Sequence, residues 1–174
     1  QNIAQRTGGD IYLGVVGPVR SGKSTFIKRF AELMLLPRIK NEARRARAHD
    51  ELPQSAAGRT IMTTEPKFIP EKAVRIELSL RIREHATVGL VVTTDGSVAD
   101  LPREAYLEAE RRILAELDAI GKPYIILLNC ADPDSEDSRR LAAELTESYG
   151  HAVFPLNCTT MTVETLDRLL QALL

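Results

Sequence analysis

Nine residues near the start of the chain, Gly17-Pro18-Val19-Arg20-Ser21-Gly22-Lys23-Ser24-Thr25, have the types and spacing to hold a polyphosphate. They fit G-x-x-x-x-G-K-[S/T], in which two glycines let the backbone turn its N–H groups inward around phosphate oxygens. In that arrangement Lys23 reaches the β- and γ-phosphates and Ser24 ligates Mg²⁺. Thr25 contacts the α-phosphate or caps the helix that follows. The same string also arises as a glycine turn with a surface lysine, so its flanks decide. Upstream, Ile11-Tyr12-Leu13-Gly14-Val15-Val16 is a short apolar run that reads as a buried parallel strand. Downstream, Phe26, Ile27, Phe30, Leu33 and Met34 recur at helical spacing. Strand, glycine loop, helix is the order the chemistry needs, because the helix start adds its partial positive charge to the loop amides.

The elements that position this loop are those of one domain. A chain of 174 residues can bury a full core, and 44% apolar with 27% charged residues is ordinary for a soluble globular protein. A net charge of −1 creates no global field toward nucleic acid or anionic lipid. Tryptophan is absent and aromatics are 5%, which speaks against a base-stacking surface, so no nucleic-acid partner is expected. No apolar run approaches the roughly 18 residues of a membrane span. Gln1-Asn2-Ile3-Ala4-Gln5-Arg6 does not read as a signal peptide. Cys130 and Cys158 give no disulfide or zinc framework and read as reduced cytosolic thiols near strand ends.

In chain order, Asp10 to Val16 is the first predicted strand and Lys23 to Leu36 the first helix, ended by Pro37. Asn41 to Glu51 predicts a short polar helix whose arginines are a solvated face or the source of a transition-state arginine. Leu52 to Pro66 is polar and rich in small residues and reads as a long functional loop. A threonine there binds Mg²⁺ through its hydroxyl and senses the γ-phosphate through its N–H. Thr63 and Thr64 are the candidates, with Thr60 behind them, unless they simply open the next strand. Lys67 to Leu80 alternates as a strand, with Pro66 and Pro70 suggesting an edge.

Thr87 to Thr94 is a second buried strand, ending at Asp95-Gly96. Pro102 to Ala119 is an amphipathic helix with Tyr106, Ile113, Leu114 and Leu117 on its apolar face and Gly121 as its stop. Tyr124 to Leu128 is a buried strand, Ser135 to Tyr149 a helix with Ser135 as N-cap, His151 to Leu156 a short strand, and Val163 to Leu174 a helix. That last helix has no stop signal, which predicts a fragment of a longer protein. The alternation predicts a doubly wound α/β domain over residues 1–174, with a mostly parallel sheet, helices on both faces and the ligand outside the carboxyl ends of the strands.

The order of elements resembles the translation-factor-like, small-GTPase-like branch of P-loop NTPases. Asn129-Cys130-Ala131-Asp132 stands where those proteins carry the guanine-reading Asn-Lys-x-Asp, with Cys130 in place of the lysine. Asn157-Cys158-Thr159 stands at the last base-contacting loop. The resemblance therefore implies base contacts from Asn129, Asp132, Asn157 and Cys158.

A closer resemblance covers nearly the whole chain. Thr7 to Gly17, Asp50 to Gly58, Thr60 to Pro66 and Val91 to Gly96 look like the N-terminal nucleotide-binding domain of the stage IV sporulation protein A family. It implies ATP and Mg²⁺ as ligands, with Lys23, Thr63 and Thr64 in binding and hydrolysis and Ser24 and Thr64 on the metal. It further implies polymerisation into a spore-coat layer, in the mother-cell cytoplasm at the forespore outer membrane surface. The partners implied are other copies of the chain, a small amphipathic membrane peptide and other coat proteins. One departure stands out: between Leu80 and Arg81 the pattern calls for half a hairpin and then Asp-x-x-Gly, by deletion or mobility not represented here. Asp95-Gly96 follows the next strand and reads as a turn. True absence of the segment predicts crippled hydrolysis with binding intact. Three readings remain open: an ATPase driving self-assembly, a GTPase-type switch, and a structural module that binds nucleotide without turnover.

Overall fold

The computed structural model describes residues 13–50, 52 and 88–173. Four parallel strands form one sheet in the order β1-β2-β3-β4: β1 (Leu13–Val16), β2 (Val88–Thr94), β3 (Tyr124–Asn129) and β4 (Val153–Leu156). Every residue of β2 and β3 is buried, as their unbroken apolar runs require of strands covered on both faces. The predicted edge strand over 67–80, and the Asp10 to Tyr12 part of the first strand, lie outside the described residues.

Side-chain alternation splits the core in two. Val88, Leu90, Val92, Ile125 and Leu127 face α1 (Lys23–Phe30) and α5 (Val163–Leu173), packing on Phe26, Phe30, Leu166 and Leu169. Val91 and Ile126 face α3 (Leu107–Ile120), and Leu128 faces α4 (Glu136–Tyr149). With helices on both faces, the doubly wound architecture expected from the sequence is the one observed.

Several boundaries differ from the sequence reading. The first helix is regular only to Phe30; Ala31–Leu35 is a π turn and Leu36–Arg38 a 3₁₀ turn. Pro37 has no N–H for the carbonyl four residues back, so the ladder changes register before it stops. The third helix begins with a 3₁₀ turn, Arg103–Tyr106, before Leu107. β4 starts at Val153 rather than His151. The polar helix forms as α2 (Glu42–Asp50), with Ala48 its buried residue and its arginines exposed, the solvated-face alternative. Ser135 caps α4, accepting from Ser138 N, and Gly121 and Gly150 end α3 and α4 in the left-handed region.

Among the described residues β4 is an edge of the sheet, and its outward side offers no amide donor. Ile126 N donates to Ala152 O and Cys130 N to Leu156 O, so the even-numbered residues of this segment turn their backbone groups to β3. Val153 and Pro155 face away. The Val153 N–H is taken by Thr146 Oγ1 at 3.2 Å, and Pro155 has none.

Candidate functional site

The end of β2 and the end of β3 both pack against residues 17–22, and the loop after β4 joins them through Asn129. β1 hands the chain to Gly17, whose back is against β2: a Cβ there would sit 2.1 Å from Val92 O. Gly22 (φ 102°) starts α1, and a Cβ on it would meet Asn129 Nδ2 at 2.0 Å. Ser21 N donates to Pro18 O, closing the turn, and Phe26 N donates to Gly22 O, opening the helix. The N-cap of α1 is Gly22, which has no side chain to cap it, and no acidic residue lies in the first turn, so the positive end of the helix dipole suits an anion.

Lys23 is buried, and its Nζ donates to Gly17 O at 3.3 Å across the loop. Ser21 Oγ is buried with no hydrogen-bond partner among the described residues, an orphan acceptor and donor inside the loop. Ser24 is half-buried beside Lys23; its hydroxyl suits a magnesium ion that draws its remaining ligands from phosphate and water. The described residues hold no group of three His, Cys, Asp or Glu that would bind a metal on their own. Pro18, Val19 and Arg20 form the loop tip, and Thr25 lies within the first turn of α1. Thr60, Thr63, Thr64 and the junction at 80–81 lie outside the described residues.

The structure brings the four base-side candidates to the adjacent corner, where each has protein partners. Asn129 is buried and clamps two loops: its Nδ2 donates to Ser21 O at 3.1 Å, and its Oδ1 accepts from Cys158 N at 3.0 Å. Asn157 Nδ2 donates to Ala131 O, and its Oδ1 accepts from Thr159 N and Thr160 N. Asp132 is exposed; Oδ1 accepts from Asp134 N, and its carbonyl accepts from the Ser135 hydroxyl. Both thiols are buried. Burial pushes Cys158 up to about 12 and raises Cys130 as well, and Cys130 Sγ lies 3.8 Å from Leu156 O. Asp95-Gly96 is a turn, as read: Ser97 N and Oγ both donate to Asp95 Oδ1, and Gly96 N to Thr94 Oγ1.

Beside the loop lies a buried cluster that the sequence reading did not single out. Glu110 of α3 is fully buried and receives both arms of Arg103, at 2.6 and 2.7 Å, with the hydroxyls of Thr93 and Tyr149. Arg103 also donates to Thr94 O at the end of β2. Desolvation raises the Glu110 pKa, but the Arg103, Thr93 and Tyr149 contacts outweigh it and hold the carboxyl below its usual range. The signal was present in the sequence: Glu110 falls among Tyr106, Ile113, Leu114 and Leu117, a carboxylate on an apolar face.

A solved structure of sup35 complexed with GDP aligns at a TM-score of 0.47 and 14% identity, covering 92% of this chain and 40% of that one, too distant a likeness to bear on the ligand. Stage IV sporulation protein A of Bacillus anthracis is 43% identical over 95% of this chain and 43% of its own length. The Bacillus subtilis protein of that name is 41% identical over 92% and 43%, and the Clostridioides difficile protein 37% over 100% and 46%. The chain thus spans less than half the length of the curated relatives it matches. The family described as stage IV sporulation protein A, ATPase domain, matches residues 1–82 and 79–174. With that match over the whole chain and a phosphate-type loop between β1 and α1, the chain belongs to the stage IV sporulation protein A family, in its ATPase domain.

Proposed function

We propose that this domain binds Mg·ATP at residues 17–25 and hydrolyses it, and that turnover drives self-assembly of a spore-coat basement layer. The observation that carries the reading is the glycine loop opening α1 at Gly22, with Lys23 buried and donating across it to Gly17 O. Lys23 and the loop amides neutralise the charge that develops on the γ-phosphate, while Thr63 and Thr64 sense it and help position the attacking water. Magnesium bound at Ser24 would supply further neutralisation of the phosphate oxygens. No covalent intermediate is needed, because the reaction is mainly positioning and charge stabilisation. The partners in this reading are further copies of the chain, a small amphipathic membrane peptide and other coat proteins, at the forespore surface in the mother-cell cytoplasm. They rest on family membership. No helix among the described residues is long and apolar enough to cross a membrane.

ATP is expected to outcompete GTP. Cys130 is buried with its sulfur toward Leu156, so position 130 lays no cation along a purine. Competition titration checks this; a clear preference for GTP would instead favour the switch reading.

A second reading, a nucleotide-binding module without turnover, is favoured by the break in the family match at residues 79–82. The Clostridioides difficile alignment runs 226 residues against the 174 it covers here, so the relative carries residues with no counterpart in this chain. In this reading the Asp-x-x-Gly segment is among them. Phosphate release from the full-length protein separates the two: release supports the ATPase, and nucleotide binding with no release supports the module. In the full-length protein, Thr63→Ala/Thr64→Ala is expected to lower phosphate release far more than ATP affinity, since interactions made only in the transition state leave ground-state binding largely alone. Normal release with a lowered melting temperature would make the pair strand formers.

A further inference from the structure

Arg20 is the one non-glycine residue with positive φ among the described residues, at 65°, and it sits at the tip of the phosphate loop. Its side chain belongs to a residue type for which the left-handed conformation is disfavoured, so something must hold it there. Two consecutive carbonyls of the tip are tied from outside. Ser21 O accepts from Asn129 at the end of β3, and Arg20 O accepts from the Tyr106 hydroxyl. Tyr106 is fully buried, and a buried hydroxyl needs a partner. The turn that carries it, Arg103–Tyr106, is itself fixed by the Arg103–Glu110 pair and by Arg103 on Thr94 O.

We propose that Tyr106 is a positioning residue for nucleotide binding: its hydroxyl holds the Arg20 carbonyl outward and so keeps the loop tip in its left-handed, phosphate-accepting shape. The proposal rests on the nucleotide-binding reading of the loop. The geometry supports it in a specific way. In a trans peptide the carbonyl and the following N–H point oppositely, so fixing the carbonyls of residues 20 and 21 also fixes the Ser21 N–H, which closes the turn on Pro18 O, and the direction of the Gly22 N–H. Burial raises the Tyr106 pKa, which keeps the phenol a donor. The O···O distance of 3.3 Å is longer than a mature O–H···O bond, and such contacts shorten when a site closes on its ligand.

The test is a double-mutant cycle read as Mg·ATP affinity by equilibrium titration, with melting temperatures taken alongside. Tyr106→Phe keeps the ring and removes only the hydroxyl; affinity is expected to fall about three- to tenfold, the usual net worth of one hydrogen bond. Glycine adopts positive φ freely, so in an Arg20→Gly background the same substitution is expected to change affinity by less than about twofold. Equal loss in both backgrounds would overturn the proposal, because a purely structural role for the hydroxyl does not depend on residue 20. So would unchanged affinity in Tyr106→Phe. If the unmodified protein binds no ATP, the nucleotide reading itself fails, which the first titration shows before any variant is made.

Discussion

Replacing Lys23 with alanine is expected to weaken ATP binding at least tenfold while leaving the fold intact. The ammonium is buried at the start of α1, 3.3 Å from the Gly17 carbonyl, where it sits over the space the loop encloses. A hydrogen bond to a charged group is worth about 1.5–3 kcal/mol, and roughly 1.4 kcal/mol corresponds to each factor of ten. Titration calorimetry with ATP and a thermal melt of the apo protein check both halves of the expectation. Unchanged affinity would remove the phosphate-loop assignment on which the proposed function rests.

Glu110→Ala should be the most destabilising single change in the described structure. It removes the carboxylate from a fully buried site and leaves Arg103, whose side chain is only 14% exposed, without its counter-ion. It also strips the Thr93 and Tyr149 hydroxyls of a partner. Breaking a buried pair from one side costs about 3–5 kcal/mol, which for a domain of this size lowers the melting temperature by roughly 10 °C. The sign with pH follows from the depressed carboxyl. Its stabilising contribution is complete above the ordinary glutamate range and is lost as pH falls through the lower, folded-state value. The difference between wild type and Glu110→Gln should therefore be widest near neutrality and narrow in acid, as measured by urea unfolding across that range. A difference that does not narrow would mean the pair contributes through shape rather than charge.

The centre of the sheet was readable in the sequence because β2 and β3 are buried on both faces. Unbroken apolar runs such as Val88 to Val92 and Ile125 to Leu128 have few other interpretations, and the glycine loop marks where β1 ends. Boundaries were less readable, because long-range contacts set them. The α3 start is displaced by Arg103 reaching Glu110 and Thr94, and β4 is shortened where Thr146 claims the Val153 N–H. At the site, the types and spacing of residues 17–24 were enough to predict a phosphate cradle. They could not show what shapes it. Asn129 was legible as a base-side candidate; that its side chain also holds the loop and the Cys158 amide depends on strand ends meeting in the fold. Tyr106 looked like one more apolar-face residue, and only the fold places its hydroxyl against Arg20.

The margin of β4, which offers no outward amide donor, limits how copies of this domain can join. An unguarded sheet border invites a strand from a neighbour to continue the hydrogen-bond ladder, the route by which many proteins stack into unintended fibres. Here the two residues that face outward, Val153 and Pro155, have no amide hydrogen to lend to such a strand. Under the proposed assembly, contacts across this border would rely on side-chain surfaces more than on a continued ladder, since the border supplies acceptors but no donors.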